Sequence, residues 1–99
     1  MINVTVDEYT GCPTAHISNG LELELWTPDQ YVDTGDYTLK VWEKNHTQIE
    51  WRLERFLSKN DAMRLFKEVA AYLNQYDQLD ANYLGNTLKD KYGFYRNQY

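Results

Sequence analysis

No Lys or Arg occurs before Lys40, although Asp7, Glu8, Glu22, Glu24, Asp29, Asp33 and Asp36 all fall in that stretch. From Lys40 onward, ten basic residues slightly outnumber eight acidic ones, so the net charge of -5 originates in the first two-fifths of the chain. Such a split makes a dipolar surface that repels nucleic acid and steers basic proteins. Cysteine is as scarce as early cations. Cys12 stands alone, which excludes an internal disulfide and a four-ligand structural zinc site, since only His16 and His46 could join it. No apolar stretch approaches the ~20 residues that span a bilayer, and no helix is both basic and amphipathic. The opening residues lack the basic start and apolar run of a signal peptide. The expected location is cytoplasmic, and the sequons at Asn3 and Asn45 are read as chance matches.

What the chain does have is aromatic bulk: nine Tyr, three Trp and three Phe in 99 residues. These supply large contact area at little entropic cost, for a core or a binding face. A single domain spanning 1–99 is expected, long enough to fold without disulfides or metal.

Ile2, Val4 and Val6 alternate with polar residues and read as a half-buried strand. A turn follows at Thr10-Gly11-Cys12-Pro13. Runs 14–18 and 21–26 flank Asn19-Gly20, a hairpin signal. A two-residue loop would set Ile17 against Glu22. A three-residue loop, Ser18-Asn19-Gly20 with Gly20 left-handed, pairs Ile17 with Leu21 and Ala15 with Leu23, leaving His16 opposite Glu22 on the solvent side. Residues 27–36 form an acidic loop of about ten residues. Next comes a second hairpin, 37–42 with 48–53, whose apolar alignment pairs Val41 with Ile49, Leu39 with Trp51 and Lys40 with Glu50. Trp42 then stands on the outer face beside Gln48, and His46 in the turn.

Ser58 and Asn60 are suitable N-caps for a helix running to about Tyr76. Its stripe is Ala62, Leu65, Phe66, Val69, Leu73 and Tyr76, with Arg64 and Glu68 as an exposed pair. A shorter helix over 80–92, weakened by Gly85 and capped by Gly93, would leave 93–99 as an aromatic tail. The fold class expected is therefore α+β, an antiparallel sheet of four to five strands in two hairpins, covered on one face by one long and one short C-terminal helix.

The chemistry-bearing residues are few. Cys12 and His16 are the nearest thing to a nucleophile and base, but His16 should point to solvent and no oxyanion-hole pattern accompanies them. Asp29, Asp33 and Asp36 lack the spacing of a calcium loop. Glu22 and Glu24 lie about 7 Å apart on one strand face, with nothing in the sequence to desolvate either. Lys89, Lys91, Tyr92, Tyr95 and Arg96 are too interleaved with acid to make a footprint for phosphates; Lys89 and Lys91 suit a helix C-terminus instead. No catalytic residue, metal or cofactor is expected.

The remaining feature is the acidic side: Glu22, Glu24, Asp29, Asp33 and Asp36 with Trp26, Tyr31 and Trp42 as aromatic anchors. Size, charge and the absence of a catalytic set lead to the expectation of a non-enzymatic binding protein. In its sharpest form it is a phage or mobile-element inhibitor of a host nucleic-acid-handling enzyme (anti-CRISPR or anti-restriction), with carboxylates mimicking DNA. The partner is then a basic protein, with no nucleic acid or membrane bound directly. The alternatives are a self-associating module, forming a homodimer through the sheet face or the aromatic tail, and a small enzyme built on Cys12 and His16.

Overall fold

Strands β1 (Asn3–Val6), β2 (Pro13–His16), β3 (Leu21–Trp26), β4 (Thr38–Glu43), β5 (His46–Leu53) and β6 (Phe94–Gln98) form one antiparallel sheet in chain order. Helices α1 (Lys59–Gln75) and α2 (Ala81–Tyr92) enter between β5 and β6. The computed structural model describes residues 3–8, 11–18, 20–27, 36–43, 46–53 and 55–98, and the side chains of all of these except 46–49, 81, 82, 97 and 98. No helix among the described residues is long and apolar enough to cross a membrane.

The α+β class holds, with six strands among the described residues rather than four or five. The additional strand is the segment expected as a tail. Gly93 ends α2 in a left-handed conformation (φ 79°), its N–H donating to the Lys89 carbonyl. That turn sends Phe94 back against Leu53, and Phe94 to Gln98 pairs along β5.

On the inner face, Ala15, Leu23, Val41 and Trp51 line up across four strands, with Leu25 and Leu39 as the neighbouring row. All six are buried. Helix α1 lies over β3 and β4, and α2 over β5 and β6. Ser58 caps α1 by accepting from the Asp61 N–H at 3.3 Å. Ala62, Phe66, Val69, Ala70 and Leu73 form its buried stripe, while Tyr76 at the C-cap is exposed. Arg64 pairs with Asp61 at 3.7 Å, a turn behind it, where Glu68 was expected. In α2, Leu84 and Leu88 are buried as their spacing predicts. Gly85 has a structural role there: a Cβ at that position would overlap Trp51 Cε2 and Cζ2, so the indole occupies the space a side chain would fill. Trp51 Nε1 is buried there with no hydrogen-bond partner among the described residues.

The first hairpin has the expected three-residue connection. Ala15 pairs with Leu23, His16 with Glu22, the Ile17 N–H donates to the Leu21 carbonyl at 2.8 Å, and Gly20 has φ 92°. The second hairpin differs. Val41 pairs with Trp51, Lys40 with Arg52 and Trp42 with Glu50, and a bulge at Trp42/Glu43 brings Glu43 opposite His46. The register has moved by two residues, which keeps every side chain on its expected face but changes every partner. Alternation cannot sense an even shift. What selects it is the fit of Trp51 against α2 at Gly85. His46 accordingly begins β5 and is not a turn residue.

Strand β1 departs from expectation on burial. All four of its residues are exposed, Val4 at 44% and Val6 at 61%. They share the inner face with Ala15, but the helices lie mainly over β3 to β6 and leave this edge uncovered. Ile2, the third residue of that alternation, lies outside the described residues.

Candidate functional site

Among the described residues no helix lies on the outer face of the sheet, and its side chains follow from the strand register. One row reads Asn3, His16, Glu22, Trp42, Glu50 across the sheet, and the next reads Thr5, Thr14, Glu24, Lys40, Arg52, Tyr95. Trp26 stands beyond the second row, opposite Thr38. Alternation places these residues outside; the register decides which charges meet.

Glu22 and Glu24 were expected to face solvent. Instead Glu22 is 7% exposed and Glu50 8%, each beside Trp42 in its row. His16 Nδ1 lies 3.1 Å from Glu22 Oε1, and its Nε2 lies 2.8 Å from Thr5 Oγ1. Arg52 Nη2 donates to Glu50 Oε1 at 2.7 Å along the same strand. Lys40 Nζ sits 3.9 Å above the Trp26 ring centre, with the Arg52 guanidinium 5.5 Å away. Such cation–aromatic contacts strengthen as they are desolvated. Trp26 and Trp42, expected as exposed anchors, are half-buried because neighbouring side chains lie against them.

Two of these charges are held against their preference. Burial raises the Glu24 carboxyl above its ordinary range; Lys40 and a hydrogen bond with Trp42 oppose that, while Glu22 and Glu50 add to it. Burial also lowers the Lys40 ammonium, as does Arg52, while Glu50 and Glu24 pull the other way. For both groups desolvation outweighs attraction to the opposite charge, the usual fate of a poorly hydrated ion pair. The face is therefore an interlocked lattice of charge and indole, in which three carboxylates meet Lys40, Arg52 and His16.

The other site residues named from sequence fall elsewhere. Asp29, Tyr31 and Asp33 lie outside the described residues. Asp36 is exposed just before β4, at the end of the sheet where Asp7 and Glu8 follow β1. Cys12 is buried ahead of β2, and the two ring nitrogens of His16 lie against Glu22 Oε1 and Thr5 Oγ1. No group of three or more His, Cys, Asp or Glu that could hold a metal occurs among the described residues. A cleft of about 510 Å³ beside Leu53, Arg55, Tyr92 and Gly93 brings together no nucleophile and base among those residues. Lys89 and Lys91 occupy the last turn of α2, and Lys91 Nζ stands 5.7 Å from the ring centres of both Tyr72 and Tyr92.

Sequence reasoning set Lys40 opposite Glu50 on the outer face but named neither of them, nor Arg52, as a site residue. The i,i+2 spacing of Glu50 and Arg52 on one strand was the available signal, since such residues share a face. Set beside known proteins, the chain matches no family model and no curated protein, and its fold matches no solved structure.

Proposed function

We propose that this chain is a non-enzymatic binding protein that docks a protein partner on the open face of its sheet. The observation that carries the reading is the condition of Glu24 and Lys40: both are partly desolvated on a face that no described helix covers, and both are pushed toward their uncharged forms. A surface kept only for solubility gains nothing from burying charge. Local choices that oppose stability tend to mark functional sites. The half-buried Trp26 and Trp42 supply rigid aromatic area of the kind that dominates interface energetics.

In the finer form of this reading the partner is basic, such as a nucleic-acid-handling host enzyme inhibited by a protein that replaces DNA. The net charge of -5 supports it. Beyond the carboxylates of the sheet face, Asp7, Glu8 and Asp36 gather at one end of the sheet and add to the acidic field that a basic partner would meet. Two composite variants separate the forms: Trp26→Ala with Trp42→Ala, and Asp7→Asn with Glu8→Gln and Asp36→Asn. Each is immobilised beside the parent in nuclease-treated bacterial lysate and eluted with stepped salt. A protein held by the parent and lost by the tryptophan variant supports the sheet-face site; its earlier elution from the amide variant supports the electrostatic form. Identical retention on all three overturns both.

A further inference from the structure

We propose that β1 pairs with β1 of a second copy, joining two sheets across a two-fold axis. This inference is independent of the outer-face reading, because it rests on the outward-facing backbone of β1 and on Val4 and Val6, which share the inner face with Ala15.

The argument starts from hydrogen-bond parity. The Asp7 N–H donates to the Cys12 carbonyl at 3.0 Å, so Asp7 turns its backbone groups toward β2, and alternation turns those of Asn3 and Thr5 the same way. The N–H and C=O groups of Val4 and Val6 therefore point away from the sheet, where no described residue pairs with them. An edge of this kind is a template for another strand unless charge, proline or a bulge blunts it. Asn3 to Val6 has none of these. The far edge, β6, differs in carrying exposed Arg96.

Side chains and charge select a second copy of this chain as the occupant. An antiparallel pair centred on Thr5 sets Val4 opposite Val6 of the second copy, and Val6 opposite its Val4. Four backbone hydrogen bonds form at those two positions, and the exposed valines of both copies gather on one face. Asn3 then faces Asp7 of the other copy, so no like charges oppose each other. A parallel alignment would instead set Asp7 and Glu8 beside their own counterparts. A two-fold pair of like edges also closes, whereas β1 on β6 would propagate. The strand is short, so the contact is smaller than a standard interface, and association is weak, with a dissociation constant on the order of 100 µM.

The test uses the full chain in sedimentation equilibrium from about 10 µM to 1 mM, a span chosen to bracket that constant. The parent should pass from monomer to dimer over that range. Val4→Lys with Val6→Lys opposes lysine to lysine at both valine pairs and should weaken the dimer at least about tenfold. Since both valines are already exposed, the variant should fold, and its circular dichroism should match the parent. Thr5→Cys supplies a second readout. In the two-fold register its Cα atoms are about 4.5 Å apart, within disulfide range. Asn3→Cys on the same strand face would be separated from its counterpart by about 13 Å. Under mild oxidant Thr5→Cys should give a disulfide-linked dimer, and Asn3→Cys and the parent with Cys12 alone should not. A parent that stays monomeric throughout, a dimer unaffected by the lysines, larger assemblies in place of a dimer, or equal cross-linking of the two cysteine variants would each overturn the proposal.

Discussion

The two faces of this sheet are built from the same strands, yet they solve different problems. On the inner face, Ala15, Leu23, Val41 and Trp51 form an apolar line sealed by α1 and α2, where each buried atom contributes favourably. On the outer face, Glu22, Glu24 and Glu50 meet Lys40, Arg52 and His16 around two indoles, and burial works against at least Glu24 and Lys40. The difference teaches that low exposure has no single meaning: Glu22 is only 7% exposed, yet its carboxylate is held by a hydrogen bond to His16 and not by apolar packing.

The sharpest way to break the inner face is Gly85→Ala. Because the added Cβ would overlap the buried Trp51 ring, the variant should lose about 3 kcal/mol in denaturant unfolding. Adding Trp51→Leu should restore part of that loss. An unchanged midpoint for the single variant would mean that helix and indole are not in contact.

A pair of truncations grades the same face from centre to edge. Leu23→Ala should cost about 2–4 kcal/mol, since its site cannot collapse fully. Val6→Ala, on the same face but 61% exposed, should cost less than about 0.5 kcal/mol. Comparable costs would show that β1 is covered in solution, as dimer formation at high concentration also predicts.

The smallest effect belongs to the outer face and is read as a pH slope. With its carboxyl raised above the ordinary 4.5, Glu24 binds its proton more tightly in the folded state than in the unfolded one. Its contribution to stability is therefore fullest below 4.5 and declines as pH rises through its raised folded value. Glu24→Gln should unfold with a shallower decline over that window than the parent, while keeping an acceptor for Trp42. A steeper decline in the variant would mean that attraction to Lys40 outweighs burial.

Much of the fold is legible in the residues themselves. Ser58 with the 62, 66, 69, 73 spacing marks α1; Asn19-Gly20 with the flanking apolar residues sets the first hairpin; Leu84, Leu88 and Gly93 mark α2 and its end. The candidate site is half legible. Glu22, Glu24, Trp26 and Trp42 are placed on the outer face by alternation alone, but their burial is not, because it depends on side chains arriving from strands far along the chain.

The sequence by itself determined the two helices and the first five strands, which face of each of those strands is apolar, and where positive charge is missing, since those properties rest on local spacing and composition. Only the tertiary structure decided the two-residue shift of β5, the recruitment of 94–98 as a sixth strand and the exposure of Val4 and Val6. Each depends on a contact between distant segments: Trp51 against Gly85, Phe94 against Leu53, and helices lying over β3 to β6 that leave β1 uncovered. A periodic pattern fixes a face and cannot fix which neighbour stands on it.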